Sequence, residues 1–125
     1  MSMSVIKFTK EVVVKPEMVE YLLISAFEGG SNYWYDDLET LDKTSTKSTA
    51  SERFYEDIVT HGFSLVDKEN NNTKHSVTPE MLKAAVKVMH DTELSHFNDA
   101  MNENDDASTG DVYLQLAVFG KVIYG

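Results

Sequence analysis

The chain has 125 residues, 42% of them hydrophobic, enough for one buried core and one expected domain spanning 1–125. It has no cysteine, which excludes disulfides, thiolate nucleophiles and thiolate metal sites together. Eleven basic against 21 acidic residues give a formal charge of −10, which repels phosphate backbones and anionic membranes and favours basic partners.

From Val5 to Val14 the residues Ile6, Phe8, Lys10, Val12 and Val14 alternate with others, and a strand or bent pair of strands is predicted. The opening MSMSVIKF lacks the apolar stretch of a signal peptide, and no run is long enough for a membrane helix, so a cytoplasmic protein is expected. Pro16 suits a first helical turn, and Met18, Val19, Leu22, Leu23, Ala26 and Phe27 form one stripe of a first helix. That helix should end at Gly29 and Gly30, one of them with a positive φ. Tyr33, Trp34 and Tyr35 then suit a strand, with Trp34 buried against the first helix or the last segment, and Asp36, Asp37 and the Ser/Thr/Lys-rich stretch from Asp42 to Ser48 read as an exposed loop.

Thr49 followed by Glu52 matches a capping box, and Phe54, Tyr55, Ile58 and Val59 give the second helix its apolar face before Gly62. Phe63–Val66 and Lys74–Val77 flank Asn70, Asn71 and Asn72, which tolerate left-handed turn conformations, and a hairpin follows. Thr78-Pro79-Glu80 starts a third helix that changes phase near Asp91 and Thr92 and continues through Leu94, Phe97 and Met101. Ser108 and Asp111 are expected to cap a fourth helix ending at Gly120. The final Val122-Ile123-Tyr124-Gly125 reads as a strand. The fold class is therefore α+β, with about four helices on a mostly antiparallel sheet of four to five short strands.

Two segments, Glu28-Gly29-Gly30-Ser31-Asn32-Tyr33-Trp34 and the stretch from Leu114 to Gly125, resemble those of small uncharacterised bacteriophage, prophage and bacterial proteins. The likeness covers the two ends and fits the middle, from Leu38 to about Asn104, in loose outline. It implies a phage-encoded provenance, with counter-defence as the expected context, and attaches no activity.

Charge is unevenly distributed. No Lys or Arg lies between Lys15 and Lys43, or between Lys87 and Lys121, and each gap holds seven acids. In the second gap these are Asp91, Glu93, Asp99, Glu103, Asp105, Asp106 and Asp111, which form the expected partner-binding surface. The leading expectation is a non-enzymatic binding protein that engages a basic surface of a host protein, as an inhibitor or DNA mimic, with salt-sensitive association. Direct nucleic-acid or membrane binding is not expected, and self-association is left open.

An alternative is a small-ligand or nucleotide-sequestering site built on Glu28, Asn32, Tyr33, Trp34, Tyr35 and Tyr124, whose rings could stack on a base. Against it stands a helix stop followed by a core strand, the ordinary use of such residues. An enzyme with an unrecognised site would draw first on Asp36, Asp37, His90 or His96. Glu93 and His96 have the i, i+3 spacing of helical metal ligands, but the further glutamates of such sites are missing. Residues 102–106 lack the glycine and closing glutamate of a calcium loop. No metal, cofactor or catalytic residue is expected.

Overall fold

The computed structural model describes residues 4–104 and 106–125. Helix α1 spans Pro16–Ser25 and runs into a π-type turn over Ala26–Gly30. Strand β1 (Tyr35–Thr40), helix α2 (Ala50–His61), strands β2 (Phe63–Asp67) and β3 (Thr73–Val77), and helices α3 (Pro79–Thr92), α4 (Leu94–Met101) and α5 (Ala107–Phe119) follow. The class is α+β, with five helices and one antiparallel three-stranded sheet ordered β1-β2-β3 among the described residues. The expected counts of four helices and four to five strands are corrected accordingly.

The local signals for the middle of the chain act as read. The Thr49 side chain accepts from the Glu52 N–H to start α2, and Thr78 accepts from Met81 to start α3. Asn71 and Asn72 take φ of 53° and 54° in the β2–β3 turn, the left-handed region that asparagine tolerates. The phase change near Thr92 is a break between two helices, with Glu93 as the joint.

Both terminal strand expectations are corrected. Residues 5–14 form no helix, turn or bend and pair with no strand among the described residues, because alternation favours extension without supplying a neighbouring edge. Residues 122–125 are not a strand either. The backbone N–H groups of Ile123 and Tyr124 both donate to Gln115 Oε1 at 2.8 Å, so a side-chain amide stands where a neighbouring strand would. The acids after Trp34, read as loop, belong to β1, which carries a bulge between Asp36 and Glu39 with Asp37 at φ 54°.

The end of α1 also differs from expectation. Neither Gly29 nor Gly30 adopts a left-handed φ, Gly29 being extended at 162°. The chain instead leaves the helix through the wide turn, and a Cβ on Gly30 would fall 2.1 Å from the Ala107 carbonyl oxygen at the start of α5. Close approach, not handedness, is what requires glycine there.

α5 is the hub of the packing. Nine of its residues are buried, including Tyr113, Leu114 and Leu116. At Gly110 a Cβ would meet Ser25 Cβ at 2.6 Å and the Ala26 nitrogen at 2.7 Å, so α1 and α5 cross nearly backbone to backbone. No helix among the described residues is long and apolar enough to cross a membrane.

Candidate functional site

The two segments most conspicuous in the sequence meet at a single carboxylate. Asp111, in the first half of α5, is 9% exposed and accepts four hydrogen bonds. Ser31 Oγ and Trp34 Nε1 donate to Oδ1 at 2.8 Å each, while the Tyr33 hydroxyl at 2.6 Å and Gln115 Nε2 at 3.1 Å donate to Oδ2. Donors of this number compensate the desolvation of a buried charge in place of a cation. Gln115 extends the network, because the amide that donates to Asp111 also holds Ile123 and Tyr124.

The aromatic group is occupied by the protein's own atoms. Trp34 is fully buried, as expected, and its ring lies 5.2 Å from that of Phe119 and 5.8 Å from that of Tyr124. The Tyr35 hydroxyl donates to the Phe27 carbonyl, and the Tyr124 hydroxyl donates to buried Asp67 at 2.7 Å. Tyr33 is half exposed, and the Asn32 carbonyl accepts from Lys68 Nζ. Burial and the Asp111 carboxylate push the Tyr33 phenol up to about 12. The Asp67 hydrogen bond, followed by burial, does the same for Tyr124. Glu28, in the turn after α1, is exposed, and burial followed by neighbouring Glu28 raises the Tyr55 phenol to about 12. These residues form a clasp that ties the turn after α1 to α5 and the last segment.

Asp111 therefore leaves the expected acidic surface: it is buried and fully engaged. Asp105 lies outside the described residues. Asp106, rather than Ser108 or Asp111, caps α5, and the Thr109 N–H that it accepts holds its carboxyl below the usual range. Asp91, Asp99 and Glu103 are exposed and Glu93 is half-buried. The two candidate histidines have nearby partners, His90 with Asp91 and His96 with Thr109. Neither hydrogen-bonds to Asp36 or Asp37 among the described residues. No group of three potential metal ligands occurs among these residues.

Glu103 stands apart from the other acids. It takes φ 58° directly after α4, where its N–H donates to the Ala100 carbonyl and the next N–H, of Asn104, donates to that of Asp99 at 2.7 Å. That pair of bonds is the double-bonded helix stop in which glycine is strongly preferred. A glutamate held there costs on the order of 1 kcal/mol relative to glycine. It lines two adjoining hollows beside α1, one shared with the end of α4 and the other with the turn that follows α4. One, of about 140 Å³, has Glu17, Met18, Tyr21 and Met101 among its walls, and the other, of about 350 Å³, has Tyr21 and Ile24. Tyr21 and Met101 are 50% and 41% exposed, so the groove combines apolar walls with two carboxylates and one ammonium, that of Lys15.

Sequence reasoning missed Ser31 and Gln115 in the clasp and the part of α1 in the groove. Gln115, a lone amide within the apolar run Leu114–Phe119, was the signal available, since a buried amide needs partners. Comparison with protein-family models, with curated proteins and with solved structures finds no match.

Proposed function

We propose that the chain is a non-enzymatic binding protein that captures a basic, partly apolar surface of another macromolecule in the groove between α1 and α4. The observation that carries the reading is Glu103, a carboxylate kept at a left-handed position where glycine is favoured and facing hollows walled by Tyr21 and Met101. Strained non-glycine residues of this kind cluster at functional surfaces. Asp99 and Asp91 extend the negative field along α4 and the end of α3, in a stretch without Lys or Arg from residue 88 to 120. Such a field steers a cationic partner before contact, while the apolar walls hold it afterwards. The likeness of the terminal segments to phage and prophage proteins fits a host protein as that partner, engaged at a basic nucleic-acid-binding surface.

The test is calorimetric titration with a synthetic peptide of alternating leucine and lysine as the cationic, apolar probe. The reading predicts saturable binding that weakens with salt, and at least about a tenfold loss (1.4 kcal/mol) in the Glu17→Gln/Glu103→Gln double variant. The control double variant Asp42→Gln/Glu69→Gln should bind as the parent does. Equal losses in both double variants would mean that net charge alone attracts the probe, and would refute a localised groove.

A further inference from the structure

Val5, Ile6 and Phe8 are 81, 77 and 85% exposed, the highest values among the exposed large apolar residues. In an extended segment Ile6, Phe8, Lys10, Val12 and Val14 share one face. The inner half of that face has a place on its own chain: Lys10, Val12 and Val14 line one hollow with Val86 of α3 and Phe97 of α4. The outer half, Ile6 and Phe8, is bare. Residues 4–10 also contain Lys7 and Lys10 and no acid, which makes the tip cationic on a chain of net charge −10.

We infer that a second copy of this chain covers the tip, each copy seating Ile6 and Phe8 of its N-terminal arm in the α1–α4 groove of the other. The inference rests on the reading of that groove as a docking surface for basic, apolar segments, and it names one such segment. Charge matches in net, since Lys7, with Lys10 at the inner end of the tip, approaches a groove whose walls carry Glu17 and Glu103 against the single cation Lys15. Spacing matches too. The two hollows share Tyr21 and Glu103 and are displaced by about one turn of α1, some 5.4 Å. Same-face residues of an extended chain recur every ~6.6 Å, so Ile6 and Phe8 enter neighbouring hollows. Within one chain the arm reaches the first hollow at its root, through Val13 and Lys15, and then runs along α3. Reciprocal exchange of two arms gives a closed two-fold pair and leaves no tip uncovered.

Sedimentation equilibrium of the full chain at low and raised salt tests the exchange. The parent should dimerise, more weakly as salt rises, and Ile6→Ser/Phe8→Ser should weaken dimerisation at least about tenfold. Lys7→Glu/Lys10→Glu and Glu17→Lys/Glu103→Lys change exposed side chains and should each be monomeric where the parent is dimeric, with unchanged circular dichroism. Their equimolar mixture should regain the dimer, because each acidic arm then meets a basic groove and each basic arm an acidic one. A monomeric parent, or a dimer indifferent to these replacements, overturns the inference. If the leucine–lysine peptide still binds in that case, the docking reading survives without the exchange; if the peptide fails as well, both fall.

Discussion

Replacing Asp111 by Asn keeps the shape of the side chain and removes one acceptor oxygen from the clasp. Asp111 Oδ1 serves Ser31 and Trp34, and Oδ2 serves Tyr33 and Gln115. Whichever way the new amide is turned, its NH2 faces one hydroxyl, which can rotate to accept, and one N–H donor, which cannot, and that donor left without an acceptor costs about 1–3 kcal/mol. Loss of charge assistance at the remaining bonds adds to this, while a neutral amide is easier to bury than a carboxylate, leaving about 1–3 kcal/mol. That is a large share of the roughly 5–15 kcal/mol by which domains are stable. Urea unfolding followed by the fluorescence of the single tryptophan, Trp34, measures it directly, since Trp34 donates to the altered group. The midpoint should fall with the urea dependence unchanged. Tyr33→Phe, which removes one of the four donors, should cost about 1 kcal/mol. A change below about 1 kcal/mol for Asp111→Asn would refute the clasp as a stabilising unit.

Glu103→Gly should stabilise the fold by about 0.5–1 kcal/mol, raising the melting temperature by roughly 2–5 °C, while weakening probe binding; a variant that melts below the parent would contradict the helix-stop argument. Gly110→Ala places a Cβ against Ser25 and the Ala26 backbone and should destabilise by about 1–3 kcal/mol, measured by thermal melting, with near-parent stability counting against the close crossing. Tyr33, Tyr55 and Tyr124 all have folded pKa values raised from 10.0 to about 12. Raised values mean that their contribution is complete below pH 10.0 and is lost as pH rises toward about 12. Unfolding free energy should therefore fall across that window, with phenolate absorbance appearing late, and tyrosines that ionise freely near 10.0 in the folded protein would contradict it.

The parts of the fold legible in the sequence are those specified by neighbours along the chain. Thr49 with Glu52, Thr78 with Pro79, and Asn71 with Asn72 act within a few residues, so their helices and turn lie where expected. The arm from Val5 to Val14 and the final Val122–Gly125 were misread because apolar alternation encodes an extended chain without encoding its partner. One had no sheet edge, and the other had Gln115. Asp111 was misplaced for a related reason. Counting charge along the chain treats every acid as surface, whereas the donors that allow Asp111 to be buried include Ser31 and Tyr33, 80 and 78 residues away. The groove joins α1 to the end of α4, and neither half is conspicuous alone: Glu17 and Tyr21 read as an ordinary helix face, and Glu103 as one acid among seven.

The claim that binding resides in the α1–α4 groove, and not in the aromatic clasp, is tested most directly by amide NMR during titration with the leucine–lysine peptide. Shifts concentrated at Glu17, Tyr21, Ile24 and Ala100–Asn104, with Tyr33–Tyr35 and Gln115–Gly125 unmoved, are the predicted result. Shifts centred on Tyr33, Tyr35 and Tyr124, or spread evenly over every exposed acid, would contradict it.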